Sequence, residues 1–272
     1  MSSFVSHELA RTPSVAVWDV DCPGECSGAS AEECSYAMHL VVPYAGIFRH
    51  HVGRRDWVVE PNQLLLINPD EPYRVSHPIE GGDRSLSIEL APPLFDELVP
   101  RDRPRRSGIP AFAEARMTLS ARAQRAAASL RHRLRSANLE LLEIETILLE
   151  FLGACVGARP PSGSWAMQKL VDRAKLVLAS DLSRRWSLAE VGAQVGVSPV
   201  YLTQAFKIVE GTPLYHYQLR LRLARALELV PTSDDLTGTA LDLGFSSHSH
   251  FADAFRRAFG ISPSQLRGEA RA

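Results

Sequence analysis

The chain has little with which to cross a membrane, build a disulfide framework or carry bulk charge. No apolar run approaches the roughly 18 residues that a spanning helix needs. Cysteine is scarce: Cys22, Cys26, Cys34 and Cys155 are the four in 272 residues. Free thiols in a reducing compartment are expected of them. The opening MSSFVSHELARTPSVAV has neither a basic stretch nor a continuous apolar segment, so no secretory signal and a cytoplasmic location are expected. The net charge is −1, from 30 Lys and Arg against 31 Asp and Glu, which excludes a uniformly basic nucleic-acid binder. What remains is an ordinary globular composition, 45% apolar and 22% charged, in a length that suits two domains.

The charge is unevenly spread. From Trp165 onward 13 Lys and Arg stand against 10 Asp and Glu; before it, 17 stand against 21. This mild asymmetry permits DNA binding by the C-terminal part without requiring it.

Residues 14–90 read as β-rich. SVAVWDV, YAMHLVVPYAG, DWVVEP, QLLLINP, YRVSHP and SLSIEL are short apolar or alternating segments between Pro, Gly, Asn and Asp. Such spacing predicts a sandwich or barrel. A Pro- and Arg-rich loop, 100–110, follows. The pattern then turns helical: ARAQRAAASLRHRLRS predicts one amphipathic helix, and LELLEIETILLEFLGACVG predicts a second with Leu141, Ile144, Leu148, Phe151, Leu152 and Cys155 along one stripe. ARPPSGS, 158–164, predicts a flexible break. Beyond it, Met167, Leu170, Val171, Ala174, Val177 and Leu178 at helical spacing predict a helix ending near Ser180–Asp181.

The most informative feature is a repeat with a period of 49 residues: Ser198, Leu202, Phe206 and Gly211 return as Ser247, Phe251, Phe255 and Gly260. In the first copy, Ser187 with Glu190 forms a capping-box pattern that starts a short helix, and Gly196 ends it. Ser198 and Pro199 then predict the N-cap and first turn of a second helix. Leu202 and Phe206, four apart, face inward on that helix, leaving Val200, Thr203, Gln204 and Lys207 outward. Helix, glycine turn and capped second helix make a helix-turn-helix. TGTALDLGFSSHSHFADAFRRAFG repeats the plan, with Gly244 as the turn, and PLYHYQLRLRLARALELV predicts a long helix between the copies.

At SPVYLTQAFKIVEGTP, RLRLARALELV and GFSSHSHFADAFRRAFGISPSQLR the chain resembles the AraC/XylS family of bacterial regulators over about 100 residues. The resemblance implies a seven-helix DNA-binding domain whose two recognition helices enter successive major-groove segments, about 34 Å or roughly 10 base pairs apart. It implies base reading at Val200, Thr203 and Gln204, and at His248, Ser249, His250 and Asp253. Arg256 and Arg257 are the expected phosphate contacts, and Lys207 is a further expected DNA-binding residue. The family often has arginine where this chain has Gln204 and Asp253. Gln can still read adenine and Asp can accept from cytosine, although Asp253 could instead pair with Arg256 or Arg257.

EPNQLLLINPDEPYRVSHP looks like part of a cupin barrel, the effector sensor of such regulators. Small-molecule binding is expected among His39, Phe48, His50, Trp57, Tyr73 and His77. Metal-dependent cupin chemistry is not: His50 and His51 are adjacent, and neighbours on a strand point to opposite faces. No enzyme activity, cofactor or barrel metal is therefore expected. Cys22, Cys26 and Cys34, spaced C-x3-C-x7-C, form an alternative thiol or soft-metal sensor.

The expected architecture is multidomain α+β: a cupin-like β domain over 1–116, a helical hairpin over 117–157 as a possible dimer interface, a linker over 158–164, and a double helix-turn-helix domain over 165–272. The implied partners are double-stranded DNA, a small-molecule effector, a second copy of the chain and, for an activator, RNA polymerase.

Overall fold

The computed structural model describes residues 4–24, 28–94, 111–112, 114–136, 139–155 and 158–271. Cys26 and the expected loop at 100–110 lie outside them. The chain forms two compact units, Met1–Leu119 with Ser129–Pro160, and Ser120–Ala128 with Pro161–Ala272. Among the described residues no helix is long and apolar enough to cross a membrane.

Among the described residues the first unit has nine strands: β1 (Val5–Arg11), β2 (Val15–Cys22), β3 (Met38–Gly46), β4 (Phe48–Val52), β5 (Arg55–Val59), β6 (Gln63–Ile67), β7 (Arg74–Ser76), β8 (Asp83–Leu90) and β9 (Arg116–Thr118). They form a six-stranded sheet ordered β1-β2-β8-β3-β6-β9 and a three-stranded sheet ordered β5-β4-β7; the paired strands are antiparallel. Strands β3 and β6 are interior in the larger sheet, which accounts for their nearly unbroken apolar runs, LVV and LLLI. Pro43 stands at a register shift between Pro43 and Ala45 in the β3–β8 pairing, the kind of place where a strand tolerates proline. Val41, Phe48, Val59, Leu65 and Ile67, contributed by both sheets, form a core against which Tyr73 and Val75 pack. Six of the nine strands match the segments expected from alternation. β1 was not anticipated, because five of its seven residues are exposed and its pattern carries no apolar alternation.

Two helices follow, α1 (Ala121–Ser136) and α2 (Leu141–Cys155). The division between the two units passes through α1. On α2 the apolar stripe differs from expectation. Ile147, Leu148, Phe151, Leu152 and Ala154 are buried, while Leu141, Leu142 and Leu149 are exposed at 51%, 75% and 54%. The stripe is wider than one helix face, so part of it faces water.

The second unit contains the remaining seven helices: α3 (Trp165–Ser180), α4 (Leu188–Val195), α5 (Pro199–Glu210), α6 (Leu214–Leu229), α7 (Leu236–Asp242), α8 (His248–Phe259) and α9 (Pro263–Arg271). This equals the number the family resemblance implies. Near the start of that unit the Ser162 N–H donates to the Val209 carbonyl at 3.3 Å. Two cores divide the helices. One gathers Leu170, Val171, Leu178, Val191, Leu202, Phe206 and Tyr217. The other gathers Leu223, Leu227, Leu236, Phe245, Phe251, Phe255 and Phe259. Helix α6 serves both, with Leu214, Tyr217 and Leu221 in the first and Leu223, Ala226 and Leu227 in the second. Within the first core the fully buried Lys175 Nζ lies 2.6 Å from the Glu210 Oε1. The contact is Coulombic without hydrogen-bond alignment, and it ties α3 to the end of α5.

Candidate nucleic-acid interface and ligand cavity

The two repeated units take the same local geometry. Ser198 and Ser247 cap α5 and α8, their side chains accepting from the Tyr201 and His250 N–H groups. Gly211 and Gly260 close the same helices in left-handed conformations, at φ 68° and 78°. Leu202, Phe206, Phe251 and Phe255 are fully buried. Phe206 packs edge-on to Tyr217 at 5.0 Å, and Phe245, Phe251, Phe255 and Phe259 form a chain of ring contacts between 4.7 and 5.6 Å. Before α5, the expected capping box is complete: the Ser187 side chain accepts from the Glu190 N–H, and the Glu190 carboxylate accepts from the Ser187 N–H. That hydrogen bonding, with Arg184 beside it, holds the Glu190 carboxyl down at about 2.

With the inward residues fixed, the outward ones follow from helix periodicity. On α5, Val200 is 68% exposed, Gln204 and Lys207 are exposed, and Thr203 is half-buried. The Thr203 hydroxyl donates to the Pro199 carbonyl at 2.8 Å, leaving its lone pairs available. On α8, Ser249, Asp253, Arg256 and Arg257 are exposed, while His248 and His250 are half-buried. His250 Nδ1 lies 3.1 Å from the Ser246 Oγ. Among the described residues no ion pair joins Asp253 to Arg256 or Arg257; Arg257 Nε donates instead to the Asp253 backbone carbonyl at 3.3 Å.

Sequence reasoning missed the residue that links the two units. Arg222, on α6 and 8% exposed, donates to the Leu182 carbonyl at 2.7 Å and the Arg184 carbonyl at 2.9 Å, both ahead of α4. It also donates to Gly244, the turn of the second helix-turn-helix, at 3.0 Å. Gly244 has φ 79°, and a Cβ there would lie 2.3 Å from the Ser183 carbonyl and 2.8 Å from the Arg222 Nη2. The turn therefore needs glycine for its conformation and for the close approach. The signal available in the sequence was an arginine in the middle of the apolar run LRLRLARALEL.

In the first unit a cavity of about 280 Å³ opens between the strands. Four expected ligand residues line it: His39, Phe48, His50 and Tyr73. The other two do not. Trp57 lies beside the His50 ring at 6.3 Å, and His77 lies beside Phe48 at 6.4 Å, its Nε2 bonded to Asp83 Oδ1 at 2.7 Å. The rest of the wall is mainly apolar, with Val20, Val41, Leu65, Ile67 and Val75. Glu33 and Asp83 are its acidic members, and among the described lining residues none is Lys or Arg.

His50 and His51 point to opposite faces of β4, as their adjacency requires. His51 Nε2 lies 2.8 Å from the Ser76 Oγ. His50 is 2% exposed, and neither of its ring nitrogens has a hydrogen-bond partner. Burial, then the neighbouring His51, pulls its pKa down to about 4, so the ring is neutral near pH 7. A neutral imidazole offers one donor and one acceptor, and both are unused at the cavity wall. His39 is also lowered by burial, and its Nδ1 lies 3.0 Å from the Ser87 Oγ. Burial, with Glu33 close by, pushes the Tyr73 phenol up.

Comparison with known proteins follows the same division. Residues 35–152 match the family model of the AraC-like ligand binding domain, and residues 191–269 match that of a helix-turn-helix domain. The HTH-type transcriptional activator RhaR of Klebsiella pneumoniae subsp. pneumoniae is 34% identical over 106 residues, spanning 39% of this chain and 38% of that protein. The HTH-type transcriptional activator AarP of Providencia stuartii is 33% identical over 91 residues, spanning 33% of this chain and 67% of that protein. A crystal structure of a transcriptional regulator of the AraC-type DNA-binding class from Chromobacterium violaceum is 30% identical, covers 39% of this chain and 96% of its own, and superposes with a TM-score of 0.37. The match thus spans about two-fifths of the length of the RhaR relative.

Proposed function

The chain belongs to the AraC family of helix-turn-helix transcriptional regulators, and we propose on that footing that it binds a specific DNA operator through α5 and α8 under the control of a small molecule held in the N-terminal cavity. The observation that carries the reading is the structural equivalence of the two units. Both recognition helices have the same cap, the same buried pair and the same closing glycine, so their outward faces are presented in the same way.

Base reading is assigned to Val200, Thr203 and Gln204 in one helix and to His248, Ser249, His250 and Asp253 in the other. Lys207, Arg256 and Arg257 supply phosphate contacts. The effector is a compact, largely apolar molecule with an uncharged hydrogen-bonding group for His50. The size of the cavity, its largely apolar wall and the absence of Lys or Arg among its described lining residues support that choice over an anion. Binding in one arrangement of the two units shifts the population toward it, with 158–164 as the joint.

Two copies associate through the helical pair 117–157, and the paired DNA-binding units gain affinity from effective concentration. The exposed Leu141, Leu142 and Leu149 support this use of α2. The setting is the cytoplasm. RNA polymerase is the further partner, in keeping with the activator names of the RhaR and AarP relatives.

The test is recovery and sequencing of genomic fragments bound by the full chain, followed by the Gln204→Ala variant on the operator obtained. A good bidentate base contact is worth about 1–3 kcal/mol of discrimination. Gln204→Ala should lose preference at one base pair and keep its non-specific affinity. Phe206→Ala, which removes a buried ring, should lose binding and stability together, at about 3–5 kcal/mol. Equal weakening of Gln204→Ala on every sequence would remove α5 from the groove.

A further inference from the structure

Three side chains with metal-ligating chemistry meet in the first unit and have no part in DNA reading. Cys22 ends β2, His77 follows β7, and Asp83 begins β8. Cys22 and Asp83 are directly opposite in the β2–β8 register. The sulfur, one imidazole nitrogen and one carboxylate oxygen lie within 4.8 Å of one another.

The backbone is shaped for this meeting. Gly24 and Gly82 both have positive φ, at 71° and 64°. A Cβ on Gly82 would sit 1.8 Å from the Cys22 carbonyl oxygen; one on Gly24 would sit 2.5 Å from the Gly82 Cα and 3.4 Å from the His77 Cγ. Only glycine at both places lets the chain leaving Cys22 cross directly over the loop between His77 and Asp83.

We propose that Cys22, His77 and Asp83 form a binding site for a borderline-soft divalent cation of the zinc type. One sulfur, one nitrogen and one oxygen donor suit zinc, whereas calcium and magnesium call for oxygen-only sets. His77 and Asp83 are 8% and 7% exposed, so both donors are largely shielded from bulk solvent. The Ser85 Oγ donates to the Asp83 Oδ2 at 2.7 Å, an outer hydrogen bond that orients the carboxylate.

Without metal, the hydrogen bond between His77 Nε2 and Asp83 Oδ1 closes the group. On binding, the ion takes its place: the His77 ring proton shifts to the other ring nitrogen and the Cys22 thiol releases its proton to solvent, so affinity rises with pH. Cys22 and Asp83 also line the cavity, so the fourth position of a tetrahedral ion is left to water or to a cavity ligand. The grouping differs from the Cys22, Cys26 and Cys34 set read from the sequence. Cys34 is exposed, and its thiol lies 3.9 Å from the Ser35 carbonyl.

The experiment uses the full chain, stripped with a chelator and then titrated with Zn²⁺ or Co²⁺. The expected results are one ion per chain by elemental analysis, a melting temperature raised by Zn²⁺, and a sulfur-to-cobalt charge-transfer band in the near ultraviolet. Cys22→Ser should abolish the band and weaken Zn²⁺ binding at least tenfold. Asp83→Asn should weaken it similarly if Cys22→Ser fails to fold. The double variant Cys26→Ser, Cys34→Ser should keep the ion. DNA binding in the absence of metal, measured in parallel, reports that the variants are folded. Absence of a bound ion and of the cobalt band in the intact chain would overturn the site, leaving a hydrogen-bond network alone. Loss of metal in Cys26→Ser, Cys34→Ser with retention in Cys22→Ser and Asp83→Asn would overturn it in favour of the cysteine cluster.

Discussion

Replacing Arg222 by Met should uncouple the two helix-turn-helix units without altering either recognition helix. The guanidinium makes three contacts of 3.0 Å or less, to the Leu182, Arg184 and Gly244 carbonyls, and a fourth, to Ser183, at 3.4 Å. A hydrogen bond from a charged donor is worth about 1.5–3 kcal/mol. Three that share one donor do not add, because the first loss already frees the others to rearrange. Burial disfavours the charge that makes them, and it lowers the pKa of Arg222; an apolar side chain of similar length escapes that cost. The net loss should be about 2–4 kcal/mol, and at about 4 °C per kcal/mol the melting temperature should fall by roughly 8–16 °C. Thermal unfolding followed by circular dichroism measures this. Binding to the full operator and to each half of it measures the functional side. Affinity for the full operator should drop toward that of a half, with base preferences in each half retained. Arg222→Lys should recover only a minor part, since an ammonium cannot reach three carbonyls in a fork. An unchanged melting temperature together with intact full-operator affinity would refute the bridging role.

Three further outcomes are expected. Arg256→Ala with Arg257→Ala should weaken binding to all sequences alike and flatten its salt dependence, because fewer counterions are released; an unaltered salt slope would take these side chains off the phosphates. His50 has a folded pKa of about 4 against 6.5 when unperturbed, so the unfolded chain binds its proton first. Stability is intact above about 6.5 and falls as pH drops toward 4, by roughly 3 kcal/mol from this group, and His50→Gln should remove that part of the slope. Leu142→Glu with Leu149→Glu should convert a dimer to monomers in sedimentation without lowering the melting temperature much, since both leucines already face water; an unchanged association state would move the interface elsewhere.

The helix-turn-helix units were legible because their signals are local. A cap serine, a glycine in left-handed conformation and two apolar residues four apart each act within one helix, and the 49-residue repeat states them twice, while a first-turn proline, Pro199, marks the first copy. The strands were legible where one face is buried and alternation survives, as in β2 and β8, and not in β1, whose exposed surface leaves no pattern. The cavity was legible in part, with four of the six expected residues on its wall. His39, Phe48, His50 and Tyr73 line it, but alternation sorts residues by face and cannot say how far along a strand the cavity reaches, so Trp57 and His77 were included. The bridging role of Arg222 and the grouping of Cys22, His77 and Asp83 were not legible, although an arginine inside an apolar run and a cysteine cluster marked two of the positions. Gly244 is 22 residues from Arg222, and Cys22 meets His77 and Asp83 only through the β2–β8 pairing, so the tertiary fold alone brings these groups together.

The two recognition helices offer DNA different chemistry. Helix α5 presents Val200, Thr203, Gln204 and Lys207: a methyl-bearing surface that suits thymine, an amide that suits adenine, and a cation for the backbone. Helix α8 presents His248, Ser249, His250 and Asp253 ahead of Arg256 and Arg257. A carboxylate facing the groove gains where a cytosine amino group meets it and otherwise suffers from the surrounding phosphates. Asp253 forms no ion pair with either arginine among the described residues, so its charge is not cancelled there. Under the proposed assignment, selectivity at the second half-site would come largely from rejecting wrong bases, and its affinity from Arg256 and Arg257. Asp253→Asn separates the two contributions. It should tighten binding to non-specific DNA and blunt discrimination at one position under α8, whereas Asp253 turned to solvent would leave both unchanged.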